Sequence, residues 1–298
     1  MGVRSIRIAL NADTTPLSVS DTLVFKSHRQ RTREAFGAGY TAVNVDEEEG
    51  LTVEGARAVL DEYGIGVASG FFHGPFYNPQ EEERIYEAAV RKAKFAHGLG
   101  QQCIFVSALV SSPERHAIAG QVRPGEPVSL DKGQFAQMAR LLERIGRLWK
   151  DQGIDLCFHP HVATYVEAPH EIEHLMEITD PELVRFGPDT GHIFFGGGDP
   201  IDFVRRYFSR LAGLHLKDIK ADILAKVREE KLSYRQACAL GIWTELGTGD
   251  IDFPSLFGFL RRMQWSGWAI VETDHTTLQN ALQSSRASRR YLQEVIKI

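Results

Sequence analysis

The sequence is poor in cysteine, in surplus positive charge and in long apolar runs, and each shortage removes a class of protein. Only Cys103, Cys157 and Cys238 occur among 298 residues. They are scattered and odd in number, with no disulfide framework and no Cys-x-x-Cys metal spacing, so a reducing, cytoplasmic setting is expected. Lys and Arg number 34 against 39 Asp and Glu, a formal charge of -5. Nothing there favours nucleic acid or an anionic membrane surface as a partner. No apolar stretch reaches the ~18 residues of a membrane span. The start, "MGVRSIRIALNADTTP", turns polar too soon after Leu10 for a secretory signal. No Gly-x-Gly-x-x-Gly follows the first apolar run, which counts against an open dinucleotide-binding sheet. What remains is 43% hydrophobic and 24% charged, ordinary for a globular chain able to bury a substantial core.

What is present is alternation. Short apolar runs, "RSIRIAL", "TAVNVD", "IGVASGFF", "QQCIFVSAL", "IDLCFHPH", "LVRFGPDT", "LAGLHLKD" and "GWAIVETD", read as eight strands separated by amphipathic helices. Helix stops and starts fall where capping chemistry puts them: Gly64 closes the second helix, and Asp199 with Pro200 opens another. In the helix before the fifth strand, Phe135, Met138, Leu142, Ile145 and Trp149 recur at spacings of three and four. Strict alternation implies a parallel sheet, and eight units in about 300 residues fit a closed α/β barrel, the (β/α)₈ or TIM barrel. The expectation is one domain over residues 1–298. The charged stretch 218–245 is read as a lid or insertion after the seventh strand.

In such a barrel the site lies at the C-terminal ends of the strands. The third strand ends in His73, the fifth in His159 and His161, and the sixth in Asp189 with His192 three residues on. The seventh ends in His215 and Lys217, the eighth in Glu272 with Asp274 beyond. Strand residues two apart share a face, so His159 pairs with His161 and His215 with Lys217. Four consecutive strands thus each end in a group that can ligate a metal. Mixed histidine and carboxylate donors suit Mn²⁺, Co²⁺, Fe²⁺ or Zn²⁺ better than Ca²⁺. Two other motifs read as decoys. "HEIEH", residues 170–174, matches the His-Glu-x-x-His of zinc proteases, but Ile172, Leu175 and Met176 form the face that would cover the barrel, so both histidines point to solvent. Gly196–Gly198 suggest a phosphate cradle but read better as a turn into the next helix.

The motifs "FHPHVATYVEAPHEIEHLM", "TDPELV", "DTGHIFFGGGDP", "LHLKD", "GTGDIDFPSL" and "GWAIVETD" together resemble the xylose-isomerase-like barrel superfamily of sugar isomerases and epimerases. They are most similar to its inosose dehydratase branch, well over residues 140–275 and in outline before that. The resemblance implies a divalent metal, Mn²⁺ foremost, on Asp189, His215 and Glu272. His159 or His161 stands where the epimerases carry a glutamate. It also implies substrate contacts from His192 and His73; the lid reading of 218–245 separately offers Trp243. The chain has Val162-Ala163-Thr164 where dehydratases have Met-Gly-Thr, and Asn11 and Asn44 where they have other residues, so the substrate end of the pocket differs.

The chemistry this implies begins with proton removal beside a carbonyl, giving an enediolate that a divalent cation stabilises. One strand-five histidine, His159 by expectation, serves as ligand and the other as general base. Lys217 neutralises developing charge, and His192 and His73 orient hydroxyls or protonate a leaving hydroxide. Loss of a β-hydroxyl makes the enzyme a lyase on a keto-sugar or keto-inositol, and replacement of the strand-five glutamate leans that way. Isomerisation or epimerisation through the same enediolate is the alternative, as is β-eliminating cleavage of 3-keto glycosides with a partner subunit. A homo-oligomer is a further possibility. A DNA enzyme of this barrel is disfavoured by the acidic charge, and a non-catalytic sugar-binding barrel is the remaining reading.

Overall fold

The computed structural model describes residues 5–20, 22–108 and 112–298. Arg4 and Leu109, the outer residues expected of the first and fourth strands, lie outside the described residues. The eight strands are β1 (Ile6–Asn11), β2 (Ala42–Val43), β3 (Gly66–Val67 and Gly70–His73), β4 (Cys103–Ser107), β5 (Asp155–Phe158), β6 (Arg185–Phe186), β7 (Gly213–Leu216) and β8 (Gly267–Glu272). One arc runs from the first segment of β3 through β2, β1 and β8 to β7, the other from the second segment of β3 through β4 and β5 to β6. All these pairings are parallel. Parallel bridges from Phe186 to Leu211 and from Asp189 to His215 close the ring between β6 and β7.

The two-residue period of the strands separates core from site. Leu156 and Phe158 of β5, Leu214 and Leu216 of β7, and Val271 of β8 face outward into the apolar layer shared with the helices. Their neighbours face inward: Ala9, Cys103, Phe105, Cys157 and Ile270 fill the barrel interior. One step further along the same faces stand Asn11, Ser107, His159, His215 and Glu272. The interior thus changes from apolar to polar within one layer. Phe105 is the floor of the polar layer, its ring 4.2 Å from that of His215 and 5.8 Å from that of His159. Gly213 makes room for it, since a Cβ there would stand 2.6 Å from the Phe105 ring.

The helix Lys132–Lys150 opens with a capping box between Asp131 and Gln134 and buries all five expected apolar residues. Each such burial contributes about 1.5–3 kcal/mol. The helix Pro169–Ile178 buries Ile172, Leu175 and Met176. His170 and His174 are only partly buried, and His174 packs 4.9 Å from Phe135, on the helical layer rather than at the strand ends. After β7 come the helices Ala221–Glu229 and Tyr234–Ala239, and then Trp243–Thr244 pairs antiparallel with Asp218–Ile219. Asp218 fastens the returning loop by accepting from the amides of Gly247 (2.8 Å), Gly249 (3.0 Å) and Ile251 (3.2 Å). A short helix, Thr190–Phe195, which the sequence pattern did not mark, precedes the turn at Gly196–Gly198.

Candidate active site

Asp189, three residues beyond β6, bridges to His215 and caps the helix Thr190–Phe195. Its Oδ1 accepts from the His192 amide at 2.8 Å, which satisfies a helix-start donor. Its Oδ2 is buried and has no hydrogen-bond partner. Cap and candidate ligand are therefore the same residue, one oxygen each. Burial pushes the Asp189 carboxyl up to about 6, against the pull of Lys217. Gly191 is required by the packing above it: a Cβ would stand 2.9 Å from both Lys217 Cγ and the Trp243 ring.

One ligand atom each from His159, Asp189 and His215 lies within 4.8 Å of the others. All three residues are buried, and His159 Nδ1 and His215 Nε2 lack partners as Asp189 Oδ2 does. Buried polar atoms without partners are costly. A divalent cation bound by mixed nitrogen and oxygen donors removes that cost, so these residues fit the metal the pattern implied. Burial first, then neighbouring His215 and His161, holds the His159 imidazole well below its usual range, so it is neutral as a ligand must be.

Glu272, expected as a fourth ligand, does not join that group. Its Oε1 accepts from Asn11 Nδ2 at 2.8 Å and its Oε2 lies 2.6 Å from His215 Nδ1. Burial alone would raise its carboxyl, but Lys217 and His215 hold it well below the carboxylate range. An ionised carboxylate only accepts, so His215 Nδ1 carries the proton. In the neutral ring Nε2 then carries the lone pair, the arrangement by which a carboxylate orients a metal-binding histidine.

His161 lies outside the group of three. Its ring stacks on that of His192 at 3.7 Å between centroids. Its Nδ1 is 2.7 Å from the Val162 carbonyl. Nδ1 therefore carries the proton and Nε2 is the basic nitrogen. Burial first, then Lys217, pushes the ring down to about 4, so it is neutral at ordinary pH.

Lys217 is fully buried and tied to Asp274 Oδ1 at 2.8 Å, with Glu272 Oε2 at 3.6 Å and Asp189 Oδ2 at 3.8 Å. Burial opposes its charge, but the three carboxylates overturn that and hold the ammonium well above its ordinary range. Its Nζ is also 3.0 Å from His192 Nε2. An ammonium cannot accept, so His192 Nε2 does, and the His192 proton sits on Nδ1, a buried donor with no partner. Three carboxylates face one lysine here, a surplus of two negative charges that matches one divalent cation.

His73 stands exposed at the rim, its ring 6.4 Å from Phe71, which in turn lies 5.5 Å from His159. Trp243 is 1% exposed and backs the cluster, its ring 5.2 Å from that of His192 and 5.2 Å from Lys217 Nζ. Tyr234, which no motif singled out, reaches Asp274 Oδ2 from the inserted helix at 3.3 Å. The role of Asn11 toward Glu272 likewise had no signal beyond its place at a strand end. A wide cavity of about 530 Å³, lined by Ile6, Arg261, Trp265 and Lys297 among others, opens at the opposite end of the barrel, away from the histidines.

Known proteins share the sequence pattern and the barrel fold. A family model described as a xylose isomerase-like TIM barrel matches residues 32–295. The inosose dehydratase of Clostridium tetani is 31% identical over 263 residues, 86% of this chain and 86% of that protein. Among solved structures, the probable 3-DHS dehydratase of Bacillus anthracis has a TM-score of 0.71 at 14% identity, covering 97% of this chain and 100% of that one. A D-allulose 3-epimerase from Methylomonas sp. has a TM-score of 0.70 at 14% identity, covering 98% and 97%. The barrel fold follows from these likenesses, and the likeness to the inosose dehydratase supports, at the coarse level, an enzyme.

Proposed function

The chain belongs to the xylose isomerase-like TIM barrel family, and from that premise we propose that it is a metal-dependent lyase. It would take a keto-inositol or keto-sugar, remove the proton beside the carbonyl and expel a β-hydroxyl as water. One observation carries this reading. One ligand atom each from His159, Asp189 and His215 lies within 4.8 Å of the others, each of these residues has a buried polar atom without a partner, and a fourth side chain, His161, stands beside them neutral and unprotonated on Nε2.

In this reading His159, Asp189 and His215 hold the cation, Mn²⁺ foremost, and Glu272 steers His215. When bound, the metal supplies a Lewis acid for the substrate carbonyl. His161 Nε2 takes the proton from the adjacent carbon, and the Lys217 ammonium stabilises the negative charge that develops. The His192 Nδ1 proton holds the β-hydroxyl. As the electron pair of the broken C–H bond becomes the new C=C bond, the β C–O bond breaks. The departing hydroxide takes the proton that His161 had accepted, so water leaves and His161 is restored. Phe71 and His73 form the rim, and the segment 218–245 closes the wall through Tyr234 and Trp243. A small carbohydrate is the partner this chemistry requires. A reducing cytoplasm is the compartment in which Cys103 and Cys157, buried with their sulfurs 3.1 Å apart, stay thiols. Elimination is favoured over epimerisation because a histidine stands where a second acid-base carboxylate would be needed.

The test pairs metal content with turnover. Native protein should carry about one Mn, Fe, Co or Zn per chain, and Asp189→Ala should lose it. Keto-inositols and keto-sugars should lose water with the native protein and not with His161→Ala. A native protein that takes up no metal on reconstitution, or a His161→Ala variant of near-native activity, overturns the mechanism.

A further inference from the structure

A second buried polar cluster ties together three loops on the catalytic face. Its centre is Glu167, 1% exposed, in the loop after β5. Glu167 Oε2 accepts from the Ala163 amide at 2.6 Å and Oε1 from the Gly120 amide. Gly120 lies in the loop after β4. Gly196, which follows the helix Thr190–Phe195, approaches so closely that a Cβ there would stand 2.5 Å from the Glu167 carbonyl oxygen. Arg115 and Glu171 clamp the flanking backbone. Arg115 Nε donates to the Thr164 carbonyl at 2.7 Å, and Glu171 Oε2 accepts from the amides of Glu167 (3.1 Å) and Ala168 (3.0 Å) as well as from Arg115.

The turn between β5 and Glu167 is one that its sequence does not favour. Ala163 has φ +63°, in the left-handed region that a Cβ disfavours. His161 precedes it by two residues and belongs to the same turn. The His161 carbonyl accepts from Thr164 N at 3.3 Å and from Thr164 Oγ1 at 2.7 Å, and the His161 amide donates to the Val166 carbonyl at 3.2 Å. A carboxylate can accept from both amides. A glutamine of the same size accepts one and presents its own N–H groups to the other.

We infer that Glu167 is a positioning residue, which fixes the turn that holds the His161 ring against His192 by receiving the Ala163 and Gly120 amides together. Its consequence for rate rests on the proposed role of His161 as base. The positioning itself does not.

The experiment compares native protein, Glu167→Gln and the double variant Glu167→Gln/Ala163→Gly, at pH 8 and loaded with Zn²⁺, which is diamagnetic. The His161 ring signal is assigned by its disappearance in His161→Gln and read by NMR of histidine-labelled protein. Kinetics and melting temperature are measured in parallel. In Glu167→Gln the His161 signal moves away from its stacked position. On the order of tenfold to a hundredfold is lost in kcat, KM stays about the same and one metal per chain is retained. Adding Ala163→Gly recovers part of both, because glycine takes a positive φ freely. Should Glu167→Gln not fold, Glu167→Asp, which keeps the charge but shortens the reach, is read the same way. A His161 signal and kcat unchanged in these variants overturn the inference. So does a loss that comes with metal release and general unfolding and is not recovered by Ala163→Gly. A signal that moves in a protein with no turnover on any keto-sugar keeps the positioning role and removes the lyase reading instead.

Discussion

Replacing Lys217 by methionine should cost the metal-free protein more than any other single change at the site. The substitution keeps an unbranched side chain of similar length and removes only the charge. In the native fold the Lys217 ammonium is 2.8 Å from Asp274, 3.6 Å from Glu272 and 3.8 Å from Asp189, and these side chains are 5%, 18% and 0% exposed. Solvent screens such pairs poorly. At an effective dielectric constant near 20, one pair at about 4 Å is worth on the order of 4 kcal/mol. Breaking a buried pair by removing one partner typically costs about 3–5 kcal/mol, because the abandoned carboxylates stay desolvated. Set against a total stability of about 5–15 kcal/mol, that loss brings the variant near unfolding. Urea unfolding of chelator-treated protein at pH 7 measures it. A divalent cation should restore more stability to Lys217→Met than to the native protein, since the variant lacks the ammonium that opposes these buried carboxylates. Adding Asp274→Asn should recover part of the loss, which a double-mutant cycle reads as coupling. A metal-free loss below about 1 kcal/mol would refute the reasoning, because the carboxylates would then have to be neutral or hydrated rather than paired with the lysine.

Glu272→Gln should keep metal stoichiometry but weaken affinity by about tenfold to a hundredfold, the usual effect of losing the partner that orients a metal-binding histidine. Stoichiometric loss of the ion in titration calorimetry would make Glu272 a ligand instead. Gly191→Ala should destabilise by about 1–3 kcal/mol, since its Cβ meets Lys217 and the Trp243 ring together and neither has room to yield. A melting temperature unchanged from native would sink that argument. Burial, only partly opposed by Arg115 and the two backbone amides, pushes the Glu167 carboxyl from 4.5 up to about 7. The native state therefore holds a proton that the unfolded chain has lost, and stability falls as pH rises through that window. That rise amounts to up to about 3 kcal/mol from this one group. Urea midpoints between pH 5 and pH 8 should show that slope in the native protein and lose it in Glu167→Gln; equal slopes in both would be decisive against it.

The barrel was legible because strand alternation and helix caps are local signals. Leu156 and Phe158 alternate with Cys157 and His159 whatever the rest of the chain does, and Gly64 ends its helix by its own left-handed backbone at φ +63°. The rule that active sites gather at C-terminal strand ends then led to His159, Asp189 and His215 without further information. The short helix after Asp189 was not legible, since six residues are too few to show a helical period.

The spacing rule lost its force at His161. It assumes that the strand continues, but β5 ends at Phe158, and beyond it the chain turns through Pro160 and the left-handed Ala163. His159 keeps the inward face of the strand, whereas His161 is placed by the turn and finds His192 instead. That is why the sequence could offer either histidine as ligand and the structure separates them. The carboxylate that holds the turn was hidden for a related reason. Glu167 sits before Pro169 and reads as an acid near a helix start, yet it serves the amide of Gly120, 47 residues away. A contact of that span leaves no trace in a local pattern. The same holds for Glu272: its position at a strand end was legible, but its duty toward His215 depends on which ring nitrogen faces it. The residues proposed to do the chemistry were picked out by position along the strands. The residues proposed to aim them, Glu272 at a strand end and Glu167 in a loop, have partners far off in the chain, and only the closed barrel brings those partners together.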